Sequence, residues 1–352
     1  MPTLAAKESP YPMIDAQTTS TKSPVPVTIP ARAEEMKESS ETIPTAIIIP
    51  AHNEEKYLQN LLDSIRLHGP KTPQVIVVDN GSTDETASIA TAFGAHLVKT
   101  SERLYPSQAR NLGVANVDQH RKVLIFLDAD VELTSEWQSE WNRTASLLSE
   151  NSLQVTGGTY DVSKAPCWLE RNWFAPMRSR KWSHINGGNL LTTKALFDSI
   201  GGFDTNLETG EDVDFCVRAH QTGANVVIND AFRVHHEGYP RTLHGFIMRE
   251  RWHGAGDFVS LKHVLRSQVA IATVVFATLH IALFAASADF FVSRKMLFMP
   301  LTCITAIAVL CLGSALKMLP RGRYGAIAQV TCIMYFYYLG RSLSLIDALM
   351  GR

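Results

Sequence analysis

The chain lacks a surplus of either charge: 33 Lys and Arg stand against 34 Asp and Glu in 352 residues, a formal net charge of -1. Nucleic-acid binders carry a basic excess as their electrostatic footprint, so no nucleic-acid partner is expected. Paired cysteines are missing as well. The five present, Cys167, Cys216, Cys303, Cys311 and Cys332, are odd in number and widely spaced. That pattern fits neither a disulfide framework nor a zinc site, and free thiols suit a reducing compartment. The first 43 residues have no apolar run of the length a signal peptide needs. They are rich in Pro, Ser, Thr, Ala, Lys and Glu, which is the composition of a disordered leader, 1–43.

From Ala46 onward the chain changes in kind. Ala46-Ile47-Ile48-Ile49-Pro50, Val75-Ile76-Val77-Val78 and Val123-Leu124-Ile125-Phe126-Leu127 are short apolar runs of the type that forms strands buried on both faces. Between them, residues 54–67 place Leu58, Leu61, Leu62 and Ile65 on one helix face, and residues 85–93 also read as helical. Strands alternating with helices predict an α/β fold with a mainly parallel sheet and helices on both faces, over 44–260. In such sheets ligands bind beyond the carboxyl ends of the strands. The polar clusters after Ile49, Val78 and Leu127 all fall on that edge.

Asp128-Ala129-Asp130 sets two carboxylates on the rim, hard oxygen ligands suited to Mg²⁺ or Mn²⁺. Asp79, with Asn80-Gly81-Ser82, either accepts a hydrogen bond from a nucleotide base or belongs to an ordinary strand-to-helix turn. Arg110 offers a planar cation to a diphosphate, unless it is a solvated surface arginine. Glu211 and Asp212 begin a helical stretch, where acids favour the helix dipole or serve as a general base; periodicity does not choose between the two.

Read in order, Ile48-Ile49-Pro50-Ala51-His52-Asn53-Glu54, Val77-Val78-Asp79-Asn80-Gly81-Ser82-Thr83-Asp84, Ala109-Arg110-Asn111, Asp128-Ala129-Asp130 and Gly210-Glu211-Asp212 resemble the ordered motifs of family 2 glycosyltransferases, which have the GT-A fold. The resemblance covers residues 44–256. It implies an inverting transferase that takes a nucleotide diphosphate sugar, with a family bias toward UDP. It also implies that Pro50, Ala51, Asn53, Glu54, Asp79, Asn80 and Ser82 line the donor pocket, with Arg110 near the diphosphate and Asp128 near the ribose and metal. Asp130 would ligate Mg²⁺ or Mn²⁺ with Asp128 and His236, His235 being the neighbouring alternative, and Asp212 would be the catalytic base. Gly187 and Gly188 would lie beneath the donor sugar and acceptor, beside Glu211. Processive synthases of the family carry Gln-x-x-Arg-Trp, whereas here the stretch reads Met248-Arg249-Glu250-Arg251-Trp252. Arg251 and Trp252 remain acceptor candidates, and the missing glutamine favours transfer of one sugar over polymer synthesis. A nucleotidyltransferase and a non-catalytic sugar-nucleotide-binding scaffold are the rival classes.

Residues 261–352 form a second region, with long stretches almost free of charge. Residues 268–288 and 296–316 are each long enough to cross a hydrocarbon core of about 30 Å, while a third stretch from Gly325 is interrupted by Arg341. Two or three transmembrane helices are expected. Lys262 and Arg266 before the first, and Lys317, Arg321 and Arg323 after the second, put the catalytic domain on the cytoplasmic side of the inner or plasma membrane, against the opposing pair Arg294-Lys295. Such an anchor implies a membrane-associated acceptor, a lipid-linked glycan or a polysaccharide precursor.

Overall fold

The computed structural model describes residues 43–351 apart from 151–152, 178–183, 208, 294–297, 320, 321 and 323. The expected leader up to residue 42, the Arg294-Lys295 pair, Arg321 and Arg323 lie outside the described residues.

The alternating pattern builds the expected sheet. Its seven strands are β1 (Thr45–Ala51), β2 (Gln74–Asp79), β3 (His96–Lys99), β4 (Val123–Leu127), β6 (Gln154–Gly157), β8 (Asn189–Thr193) and β9 (Asn225–Ile228), and they lie in the order β3-β2-β1-β4-β8-β6-β9. Only β8 is antiparallel to its neighbours, β4 and β6. β1 pairs with β2 on one side and β4 on the other, so the chain reverses its direction of winding at β1. Such a switch point opens a crevice beyond the carboxyl ends of the strands. A small second sheet, β5 (Val131–Glu132), β10 (Val234–His236) and β7 (Tyr160–Asp161), stands just past that edge.

Strand side chains alternate between faces, and two cores result. Ile47, Ile49, Val77, Ile125 and Leu127 pack with α1 (Leu58–His68), α2 (Thr86–Phe93) and α4 (Ser135–Glu150), whose Trp137 is fully buried and meets Phe232 edge-on at 5.3 Å. Ile48, Leu124 and Phe126 face the other way, toward α3 (Pro106–Ala115), α6 (Lys194–Ser199) and α7 (Glu211–Gln221). Phe126, Phe197, Phe203 and Phe215 interlock there, with Phe126 and Phe203 edge-on at 5.1 Å. Truncating one of these large buried rings to alanine costs about 3–5 kcal/mol.

A third apolar cluster ties the α/β domain to the C-terminal helices. A π-helical turn, Glu170–Phe174, runs into the short α5 (Ala175–Met177), and Trp173 and Phe174 pack with Phe246 of α8 (Leu243–Gly254). After α9 (Leu261–Arg266) come α10 (Gln268–Ser293), α11 (Phe298–Met318) and α12 (Ile327–Leu349). Among the described residues, Gln268–Val292 and Phe298–Met318 are long and apolar enough to cross a membrane. The third stretch does not join them. α12 packs along α8 instead, backbone close to backbone: a Cβ on Gly340 would lie 2.6 Å from the Ile247 carbonyl, and one on Gly254 would lie 2.7 Å from Ser344 Oγ. The charge of its Arg341 is met by partners on that side, with Nη1 2.8 Å from Asp257 and Nη2 3.3 Å from Glu250. The expected boundary at 260/261 therefore cuts across an interface, since α12 leans on the preceding domain.

Candidate active site

The loops after β1 and β2 are stitched to each other. Asn53 adopts φ +57°, a left-handed conformation that asparagine tolerates better than most residues. In that pose its backbone N–H donates to Ser82 Oγ at 3.0 Å and its Oδ1 accepts from the Thr83 N–H at 2.8 Å. Asp79, nearly buried, accepts the Ser82 N–H at 3.0 Å. Pro50 and Ala51 end β1 beside it, paired with Val78 and Asp79. Asn80 departs from expectation. Its side chain accepts from the Leu104 N–H at 2.7 Å and donates to the Leu104 carbonyl at 2.9 Å, so it holds the chain after β3 rather than facing a donor.

Arg110 is the largest departure. The sequence allowed a cation reaching into the cleft or a surface arginine, but the side chain is 5% exposed and lies beneath the rim. Its Nη2 donates to Asp128 Oδ1 at 2.8 Å and its Nη1 to Glu211 Oε1 at 2.5 Å. Burial opposes the charge, yet Asp128, Glu211 and Asp212 together raise the guanidinium above its ordinary pKa. Arg110, expected near a diphosphate, and Glu211, expected near an acceptor, are thus paired with each other. The remaining Asp128 oxygen, Oδ2, accepts from the Tyr160 hydroxyl at 2.9 Å. Asp128, expected beside the metal and ribose, thus has a protein partner on each oxygen while lining the same cavity as Asp130. Tyr160 is not among the residues the sequence singles out.

Asp212 stands in the first turn of α7, half-buried, and its Oδ2 accepts the Gly187 N–H at 3.1 Å. Gly187 and Gly188 are glycines for want of room. A Cβ on Gly188 would lie 1.9 Å from Asp128 Oδ2, and one on Gly187 would lie 3.1 Å from the Arg110 guanidinium carbon. The loop therefore lies flat over the buried charges.

Asp130 and His236 are the pair left with open lone pairs. His236 Nε2 is 3.4 Å from Asp130 Oδ2, and its Nδ1 is buried without a hydrogen-bond partner. His235 points elsewhere, its Nδ1 3.0 Å from the Val162 carbonyl. Burial pushes the Asp130 carboxyl above the usual range, with His236 opposing and Asp128 adding. Glu54 feels the same field: burial first, then Asp130, Asp128 and Asp84, push its pKa up to about 8. Among the described residues no three His, Cys, Asp or Glu side chains form a ready ligand set. Two ligands from the protein still suit a divalent ion such as Mg²⁺, which usually takes one or two carboxylates, substrate phosphates and waters.

Beside this pair opens a cavity of about 440 Å³, lined by Asp128, Asp130 and His236 and by the aromatic side chains Phe174, Tyr239 and Trp252, with Tyr239 stacked between Phe174 and His236. Trp252 is 54% exposed and belongs to the lining. Arg251 does not. It reaches Asp347 of α12 through two hydrogen bonds, at 2.6 and 2.7 Å, and ties the two helices together. Arg249, one helical turn before His253, lines the cavity in its place, over the Phe174 ring at 5.1 Å.

Residues 46–191, which carry four of the five motifs, match the family model described as glycosyl transferase family 2. This segment is a family 2 glycosyltransferase domain. The 4,4'-diaponeurosporenoate glycosyltransferase of Staphylococcus aureus is 43% identical over 175 residues, covering 44% of this chain and 45% of that protein. Glycosyltransferase AglE of Haloferax volcanii is 29% identical over 199 residues, covering 52% of this chain and 63% of AglE. The chain thus spans between 45% and 63% of the length of these relatives. In fold it is similar to the mannosyltransferase PcManGT from Pyrobaculum calidifontis, solved with GDP-Man and Mn²⁺, at a TM-score of 0.55 and 19% identity over 88% of each chain. The glycosyltransferase domain has the GT-A fold expected of it.

Proposed function

We propose that this glycosyltransferase transfers a single sugar, with inversion, from a nucleotide diphosphate sugar to an acceptor held at a membrane. The observation that carries the reading is a cavity lined by Asp130, His236 and Asn186, with the loop that follows Asn186 holding Asp212 through the Gly187 amide. The domain boundaries follow the same reading, with 44–260 catalytic and 261–352 anchoring.

In this mechanism the donor lies over the loops that end β1 and β2, where Asp79 faces the base and Asn53 and Ser82 fix the loop. Asp212 takes the proton of the acceptor hydroxyl as its oxygen attacks the anomeric carbon, and the bond to the diphosphate oxygen breaks in the same displacement. One displacement inverts the anomeric centre. Asp130 and His236 would hold Mg²⁺ or Mn²⁺, which when bound neutralises charge on the leaving diphosphate. The Mn²⁺ bound in PcManGT supports this ion, and the GDP-Man bound there supports a nucleotide-sugar donor.

The cavity shares Phe174 with the apolar cluster that includes Phe276 of α10 and Ile307 of α11. That continuity supports an acceptor delivered from the bilayer, where tethering raises its local concentration. The basic flanks of the two spans support a catalytic domain on the cytoplasmic side of the membrane.

The test is a panel of nucleotide sugars offered to the detergent-solubilised full chain with Mn²⁺, in wild type and in Asp130→Ala. Release of nucleoside diphosphate by the wild type and its loss in the variant are expected. Release of pyrophosphate would move the protein to the nucleotidyltransferases, and turnover in the variant with an unchanged response to Mn²⁺ would remove Asp130 from the site.

A further inference from the structure

A ring of hydrogen bonds closes around the rim. Glu211 is bound by Arg110, Arg110 by Asp128, and Asp128 Oδ2 by the Tyr160 hydroxyl. The same hydroxyl is 2.7 Å from Asn186 Oδ1, so its one proton is shared between two acceptors, Asp128 Oδ2 and Asn186 Oδ1, and the latter also accepts the Gly188 N–H at 3.0 Å. The next amide back, that of Gly187, donates to Asp212, the residue after Glu211. Tyr160 is the point where the ring crosses from the β4 loop to the glycine loop. The backbone also joins the two loops, through the β4–β8 pairing that ends at Leu127 and Asn189 and the bond from Asp128 N–H to the Gly188 carbonyl at 3.0 Å, and Tyr160 adds the side-chain tie beyond that point.

The tyrosine ring has a second contact. It lies against His236, centroids 4.9 Å apart, and His236 is stacked from its other side on Tyr239 at 4.2 Å. One side chain therefore touches the acid of β4, the glycine loop under Asp212 and the imidazole beside Asp130. Burial, followed by the charge of Asp128, raises its pKa, so the hydroxyl keeps its proton to give to that acid.

We propose that Tyr160 is a positioning residue for the transfer step: through Asp128 and Asn186 it fixes the glycine loop, and through that loop it sets the direction of the Asp212 carboxylate. This role rests on Asp212 as the base of the glycosyltransferase reading above. Tyr160 itself meets no reacting atom. It acts by keeping a network of polar groups in one arrangement, which matters because a base about 1 Å out of place loses much of its effect.

Tyr160→Phe keeps the ring against His236 and removes only the hydroxyl. Two measurements on the full-length protein read the outcome. Amide hydrogen exchange at Gly187 and Gly188 is expected to quicken about tenfold or more, because their loop loses its tether. In single-turnover assays kcat is expected to fall about tenfold or more while donor KM stays within about threefold, the split that marks a defect in the chemical step. Asn186→Ala cuts the ring at the next link and should give the same pair of changes, with the double variant little worse than either alone. Unchanged exchange would overturn the tether, whatever the rate does. Faster exchange with kcat within about twofold of wild type would overturn the positioning role. A wild-type protein that turns over no nucleotide sugar would instead overturn the glycosyltransferase reading, and the exchange measurement would still decide whether Tyr160 holds the loop.

Discussion

Arg110 and Asp128 are 18 residues apart in the chain and 2.8 Å apart in the fold, and the guanidinium that joins them also holds Glu211, 101 residues away. A short helix, a strand end and the start of a second helix are thereby fixed to one buried cation. Breaking such a group by removing one partner costs about 3–5 kcal/mol, because the charges left behind stay out of water. Arg110→Met is expected to lower unfolding stability by that amount, measured by chemical denaturation. Arg110→Lys keeps the charge but not the two-pronged donor, and should fall between the methionine variant and the wild type. Stability within about 0.5 kcal/mol of wild type in the methionine variant would mean that the cation is dispensable to the fold.

Glu54 gives a pH dependence whose sign follows from its environment. Its pKa in the fold is pushed from the ordinary 4.5 up to about 8, so the unfolded chain ionises first as pH rises. The favourable contribution of the protonated group is therefore complete below about pH 4.5 and is lost progressively as pH approaches 8. Glu54→Gln cannot ionise. Without added metal, its thermal midpoint should fall less than that of the wild type between those two pH values. Parallel curves for the two proteins would show that Glu54 titrates in its ordinary range.

Gly188→Ala tests how closely the loop lies on Asp128. The new methyl would sit 1.9 Å from Asp128 Oδ2 and 2.2 Å from the Tyr160 hydroxyl, both held in place by other bonds. Overpacking of this kind costs about 1–3 kcal/mol. The control is Gly256→Ala, where nothing stands within 4 Å of the added atom. Thermal unfolding should separate the two variants clearly; equal midpoints would mean that the loop has room to lift.

Much of this arrangement is legible in the sequence because it is local. The β4 strand falls at the residues its apolar run marks, Val123–Leu127, and the acids of the motifs do end on one sheet edge. What the sequence hides is pairing across distance. Nothing near Arg110 announces Glu211 as its partner, 101 residues on. Arg251 and Trp252 are adjacent yet part company: side chains one position apart on a helix point about 100° apart, and Arg251 falls on the side that meets Asp347 of α12. Arg341 is costly in an apolar stretch only until Glu250 and Asp257 are found beside it. Tyr160 leaves no signal at all: it is one tyrosine on a two-residue strand, with no spacing or repeat to mark it.

Asp212→Asn bears most directly on the chemistry. Of the two adjacent acids, Glu211 is committed to Arg110, whereas Asp212 meets the glycine loop through the Gly187 amide at 3.1 Å. An asparagine carbonyl can accept that same N–H, so the loop and the start of α7 should keep their shape. It cannot take a proton from an attacking hydroxyl. Transfer is expected to fall by a factor of about 10² or more, the scale of a lost general base, while donor affinity stays nearly intact. If Asp212 merely favoured the positive end of the helix, asparagine would cap it almost as well and transfer would barely change. Nucleotide affinity by calorimetry beside single-turnover transfer separates the cases. Equal loss of binding and transfer would point to a disturbed loop, loss of neither would remove Asp212 from the mechanism, and loss of transfer alone identifies the base.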